Sequence, residues 1–177
     1  MKKYELTSET KEIYGATLYR IRALIDFGDV KCGDLGGWIE KESNLSHKGT
    51  AWVDDNAWVC DNARVGGDAR VCDNDRVGDN ARVGCCARVF GEAEILSCNH
   101  YRVFGPAGSR NDFTTFFRAK DLKIYVKCGC FLGTIDEFER KVAETHGDNQ
   151  YAHEYHGYAN IARKYIDLSP MYSTDGK

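Results

Sequence analysis

The chain has 177 residues, 42% of them hydrophobic and 29% charged, with a formal net charge of -3 at pH 7. That length suits one domain or a capped solenoid with a buried core, and the slight acidity excludes a general nucleic-acid binder. No run approaches the roughly 20 apolar residues of a membrane span, and Met1-Lys-Lys leads into Tyr-Glu-Leu-Thr-Ser-Glu rather than an apolar leader, so the sequence reads as cytoplasmic.

Residues 1–38 read as an N-terminal β cap. Tyr4-Glu-Leu and the run Thr17–Ile25 have strand character, and Gly33-Asp-Leu-Gly-Gly-Trp38-Ile39 makes a glycine-rich entry to the next segment. From Ala51 to Cys98 the chain repeats every six residues, beginning Ala51-Trp-Val53-Asp-Asp-Asn and ending Ala93-Glu-Ile95-Leu-Ser-Cys. A short fixed period means a solenoid. Within a hexad such as Ala69-Arg70-Val71, alternation puts Ala and Val on one face and Arg on the other. Cys72-Asp73-Asn74 are turn formers that tolerate the left-handed backbone of a tight corner. Short strands joined by such corners give a triangular coil with parallel ladders and a dry Val/Ala interior. The period extends weakly back through Ile39 and Leu45, so residues 39–98 are assigned to the coil.

After Cys98 the period stops. Residues 99–133 hold three expected strands, Tyr101–Phe104, Thr114–Arg118 and Lys123–Leu132. Residues 134–168 hold two helices. Thr134-Ile-Asp-Glu137 has capping-box form and opens the first, which runs to about His146. The second starts near Gln150 with Tyr151, Tyr155, Tyr158, Ala162 and Tyr165 on one stripe. Residues 169–177 read as a flexible tail.

The eight cysteines include no C-x-x-C pair; Cys85-Cys86 and Cys128-Gly-Cys130 are too close for good disulfide geometry. They are expected to be reduced and mostly buried, and neither a metal nor a cofactor is expected. No histidine lies within the hexads; His153 and His156, three apart on a helix, fit a solvated face better than a metal.

The segment Gly105-Pro-Ala-Gly108-Ser109-Arg110-Asn111-Asp112 gathers the groups an anion needs. Its glycines free backbone N–H groups to form a nest; Ser109, Thr114 and Thr115 add hydroxyls; Arg110 adds a bidentate fork. Phe113, Phe116 and Phe117 offer a stacking surface. The predicted ligand-binding set is therefore Gly108, Ser109, Arg110, Asn111, Thr114, Thr115, Phe116 and Phe117. An ordinary polar turn is the alternative.

Val65-Gly-Gly-Asp-Ala-Arg, Val77-Gly-Asp-Asn-Ala-Arg and Val83-Gly-Cys-Cys-Ala-Arg resemble the motif of the hexapeptide-repeat family of left-handed β-helices. The resemblance covers about a third of the chain. It implies a left-handed, mainly β fold with about 18 residues per coil, so that Trp52, Arg70 and Arg88 share one face, Trp58, Arg76 and Glu94 a second, and Arg64 and Arg82 a third. It also implies packing as trimers, which makes Trp52, Trp58, Arg64, Arg70, Arg76, Arg82 and Arg88 the candidate interface. Compensation of the arginines by corner acids, with Trp stacked on Arg, is the competing expectation.

Acyltransferases of this family use a histidine as general base with an acyl-coenzyme A, and His100 would be that residue here. The whole chain is similar to short bacterial and phage members that carry a non-repetitive C-terminal domain. Some compact phage proteins counter host defence by sequestering nucleotide signals. The leading expectation is a non-catalytic, trimeric protein that captures a small anionic ligand, such as a nucleotide, at the 105–117 loop near a subunit boundary. An acetyl-CoA-dependent acyltransferase and a structural or protein-interaction module are the alternatives.

Overall fold

The computed structural model describes residues 1–170; residues 171–177, most of the expected tail, lie outside the described residues. Strands β1 (Tyr4–Ile13) and β2 (Ala16–Ala23) form an antiparallel hairpin, and β2 pairs antiparallel with β3 (Leu35–Ile39). Eight two-residue strands come next: β4 (Trp52–Val53), β5 (Trp58–Val59), β6 (Arg64–Val65), β7 (Arg70–Val71), β8 (Arg76–Val77), β9 (Arg82–Val83), β10 (Arg88–Val89) and β11 (Glu94–Ile95). They wind as a parallel β-solenoid of about three turns. The ladders are β4-β7-β10, β3-β5-β8-β11 and β6-β9, each partner 18 residues from the next within the hexads. Ile39 pairs with Val59 and Leu45 bridges to Val65, so the period does extend back past Ala51. The inward Val and Ile of all eight hexads are buried; at about 1.5 kcal/mol each they supply a continuous core for so narrow a body.

The corners explain the Asp-Asn bias of the repeat. Asp55, Asp61, Asp73, Asp79 and Cys85 adopt positive φ of 50–56°, and Gly67 and Gly91 take the same place in their hexads. Turn bonds such as Ala57 N–H to the Asp54 carbonyl (3.0 Å) close them. The corner carboxylates also work between coils. Asp73 accepts from the Gly91 N–H at 2.8 Å, Asp61 from Asp79 at 3.2 Å, and Asp55 from Asp73 at 3.4 Å. Backbone N–H groups therefore help hold the acidic ladder, and at Asp61 the Arg76 charge adds to them.

One hexad breaks the Ala column. Asp75 stands where its neighbours have Ala and is fully buried. One carboxyl oxygen accepts the Ala93 N–H at 2.9 Å, and the other has no partner among the described residues. Burial, chiefly, pushes its pKa up to about 8, so it is mostly protonated at neutral pH.

Both ends of the coil are closed by side chains aimed at backbone groups. At the first coil, Lys3 Nζ donates to the carbonyls of Ala51 (2.7 Å) and Gly49 (3.3 Å), and Asn44 Nδ2 to those of Ala63 (2.8 Å) and Asp61 (3.2 Å). At the last coil, Tyr101 donates to the Arg82 carbonyl (2.8 Å), the Arg88 N–H donates to Thr115 (3.0 Å) and the Leu96 N–H to His100 Nδ1 (3.1 Å).

The C-terminal part is an antiparallel sheet, β12 (Tyr101–Ala107), β13 (Asp112–Arg118), β14 (Ile124–Cys128) and β15 (Phe131–Thr134), after which come helices α1 (Ile135–His146) and α2 (Gln150–Tyr165). The run expected as one strand over Lys123–Leu132 is instead a hairpin, because Gly129 at φ 56° turns the chain. Thr134 and Glu137 form the expected capping box. The buried stripe of α2 is Ala152, Tyr155, Ala159 and Ala162; Tyr165 lies on the exposed side, since small residues let α2 approach the sheet. All eight cysteines are free, but only Cys60 and Cys72 are buried, fewer than expected; four sit on exposed turns and loops.

Two substitutions probe these features. Between about pH 4 and pH 8 the unfolded Asp75 is ionised while the folded one keeps its proton, so stability falls as pH rises through that window and levels off above it. Asp75→Asn should remove that slope, with melting temperatures near wild type at pH 4 and above it at pH 8.5; parallel profiles would refute the assignment. Cys85→Asn, which suits the left-handed corner, should stabilise by about 1 kcal/mol and raise the melting temperature by ~2–4 °C, read by thermal circular dichroism.

Candidate functional site

The predicted 105–117 loop is the β12–β13 hairpin, and folding splits its residues between different tasks. Phe116 and Phe117 are fully buried, one in the core under the helices and the other in the solenoid core. They form walls and not a stacking surface. Thr115 is buried beneath the last rung, where it accepts the Arg88 N–H, and Thr114 donates to the Cys128 sulfur at 3.3 Å. Asn111 adopts φ 50° at the hairpin turn. The Gly108 N–H is aimed at an anion, but that anion belongs to the chain: Glu154 of α2 accepts it at 2.9 Å and also accepts the Tyr158 hydroxyl at 2.8 Å.

Ser109 and Arg110 remain, and both line a cavity of about 360 Å³ between the two hairpin tips and the helix pair. Phe131, Phe138, Val142 and Tyr155 make its apolar body, with Cys128 and Cys130 from the β14–β15 turn. Arg110, Lys141 and His146 stand around it, and among the described residues no carboxylate lines it. Lys141 is bridged to Glu144 at 3.1 Å on the exposed side of α1, a contact weak enough to exchange for a ligand. The Arg110 guanidinium lies against Gly129, in space that a Cβ there would share. Burial pushes the Tyr155 hydroxyl up to about 12, with the Cys128 sulfur and the Glu154 charge adding to it, so Tyr155 is a neutral donor here. The helix contribution was hidden in the sequence: nothing local ties Phe138 and Val142 to a hairpin about 30 residues earlier.

His100 is placed as a structural acceptor. It is fully buried, its Nδ1 receives the Leu96 N–H, and Arg118 Nη1 lies 3.3 Å from the same atom. Burial, then the Arg118 charge, depresses its pKa. A base must reach the group whose proton it takes, and the Nδ1 of this ring is occupied by the Leu96 N–H of the last rung and the Arg118 guanidinium.

The arginine columns have three different fates. Trp52 is buried against Phe27 (5.4 Å) and Tyr4 (6.4 Å) by the N-terminal cap, which removes it from any interface. Trp58 lies between Tyr14 and Arg76, whose guanidinium is 5.0 Å from the Trp58 ring and 3.5 Å from Glu94. Trp-on-Arg stacking is thus present on the second face. Arg64 and Arg82 are exposed on the third, over an open groove of about 770 Å³ whose other walls include His47, Gly66, Gly84 and Tyr101. Among the described residues Asp54, Asp55 and Cys72 bring ligand atoms within 4.8 Å, but burial and the adjacent acids push the Cys72 thiol up to about 12, so it keeps its proton and is a poor metal ligand. His153 pairs with Asp148 and His156 with Glu139 on the surface.

No family model matches the chain. It is 35% identical over 63 residues to the Escherichia coli (strain K12) protein described as "Uncharacterized acetyltransferase YdcK", a stretch that covers 31% of this chain and 19% of that protein. The chain therefore spans about a fifth of the length of this relative. The three-turn solenoid with parallel strands every six residues, together with this distant match, fits a left-handed β-helix of the hexapeptide-repeat family.

Proposed function

We propose that the protein binds a small anionic molecule with an apolar or aromatic body in the cavity between the C-terminal hairpins and helices. The observation that carries this reading is the composition of the wall: Arg110, Lys141 and His146 around an aromatic floor, with no lining carboxylate among the described residues. Its volume falls in the range of small-molecule sites. Arg110 supplies a fork for a phosphate or carboxylate, Lys141 a second charge, and Phe131 and Tyr155 the apolar contacts. Nucleotides are one class of ligand with this chemistry, and sequestration is the role that binding without turnover would serve. The same proposal places the protein in the cytoplasm, where eight free thiols stay reduced, and makes it a homotrimer that associates through the solenoid face of Arg64 and Arg82, which the described residues leave open.

Calorimetry with linear and cyclic nucleotides and with aromatic carboxylates tests the site. At least one probe should bind, and Arg110→Ala should weaken it about tenfold or more. A panel without binding, or binding indifferent to Arg110, rejects the proposal. Native mass spectrometry of protein taken from its host reads the subunit count and any retained molecule together.

A second reading, an acyltransferase, is favoured by the description of the Escherichia coli relative. It requires acetyl-CoA turnover by the purified protein. Because His100 is enclosed, His100→Gln should lower the melting temperature while leaving any such turnover in the residual folded fraction intact; turnover abolished in a folded variant would restore His100 as a base.

A further inference from the structure

One arginine column remains without a task. Arg70 and Arg88 are ladder partners on adjacent rungs, which places their side chains about 4.8 Å apart on one face. Two stacked guanidiniums repel unless an anion sits beside them. Here they line a walled cleft of about 310 Å³ where all three parts of the molecule meet. Gly28 and Asp29 come from the N-terminal cap, Thr50 from the solenoid and Phe113 from the β12–β13 hairpin.

Two acids line the same cleft and offset part of this charge: Asp29, ion-paired with Arg70, and Asp68. Asp29 approaches Arg70 no closer than 3.6 Å and is itself wholly exposed. Asp68 is committed to Thr50, accepting its N–H at 3.1 Å and its hydroxyl at 2.8 Å. Arg88 makes no ion pair among the described residues, although its backbone is fixed by Thr115. The Lys3 ammonium lies close enough that the charge of Arg70 disfavours it, so a third cation adds to the local potential. Gly28 turns the chain at the rim of the cleft with a left-handed φ of 53°, beside the Arg70 guanidinium and Thr50.

We propose that this cleft is a second anion site, separate from the cavity at Arg110, in which Arg70 and Arg88 together hold one phosphate or carboxylate group and Phe113 covers the body attached to it. Parallel rungs set the two forks at a fixed spacing, so a single oxyanion can receive N–H donors from both. A ligand there would also tie the N-terminal cap to the C-terminal hairpin across the solenoid, and so stabilise the folded chain.

The test uses inorganic phosphate, phenyl phosphate and benzoate, titrated by calorimetry into the wild-type chain, Arg88→Gln and Arg110→Ala. Arg88 is exposed, so its variant should fold as the wild type does, checked by circular dichroism. Besides any binding at the Arg110 cavity, phosphate or benzoate should show a binding component that raises the melting temperature, loses about tenfold or more affinity in Arg88→Gln and persists in Arg110→Ala. The stronger of phenyl phosphate and benzoate identifies the headgroup. Tighter binding of phenyl phosphate than of inorganic phosphate, lost on Phe113→Ala, supports the covering role of the ring. Absence of binding by all three probes, or binding untouched by Arg88→Gln, overturns the proposal; loss in Arg110→Ala alone moves the anion to the other cavity.

Discussion

A parallel coil must have its ends closed, and most of this molecule derives from that requirement. Each internal rung satisfies its backbone groups through its neighbours 18 residues away, but the first and last rungs have a neighbour on one side only. A buried N–H or carbonyl without a partner costs about 1–3 kcal/mol, and each end presents several. The chain meets that demand with side chains of the appropriate polarity. Lys3, with three donors and no acceptor, is buried over exposed carbonyls despite a desolvation that lowers its pKa to about 8. At the other end an N–H is the group in need, and neutral His100 with its Nδ1 lone pair is the acceptor. Two of the buried ionisable residues, Lys3 and His100, are thus parts of the closure.

The same requirement accounts for Asp75. Its carboxyl takes the Ala93 N–H in the last coil, where the chain leaves the regular corner to meet Ala119 and Lys120 of the C-terminal sheet. An Ala at this position would fit the interior better and leave that N–H unmatched. Keeping the carboxyl protonated costs less than leaving either the N–H or a negative charge alone in the lumen.

What the sequence made legible is what has a period. The strands, the inward Val and Ile and the left-handed corners come from a count of six, because the fold repeats the same local solution, and the arginine columns from the 18-residue coil that the hexapeptide-repeat resemblance implies. The Asp75 break in the Ala column was equally visible as a letter, although its meaning lay in a bond to a residue 18 positions on. The anion loop shows where such reading ends. Glycine, serine and arginine in one turn do specify donors, but only the folded chain shows that Glu154 already fills the Gly108 nest and that Phe116 and Phe117 face inward. Ser109 and Arg110 kept their expected exposure toward a cavity, while its floor came from helices that share no motif with the loop.

A solenoid this short has little interior in which to place a ligand, since its lumen is filled by Val and Ala. Concave surface must then arise where a non-repeating element leans on a repeating one. The cavity at Arg110 is bounded by hairpins and helices added after the coil, and the cleft at Arg70 and Arg88 by elements from both ends. The coil's contribution is spacing: it delivers identical side chains at a fixed interval and lets the caps decide which become covered, paired or open to a ligand. Trp52 is covered, Arg76 is stacked and ion-paired, and Arg88 is left facing a cleft with a wall beside it. One repeated position acquires three roles because the two caps are not repeats, and binding chemistry in this fold is expected at their seams.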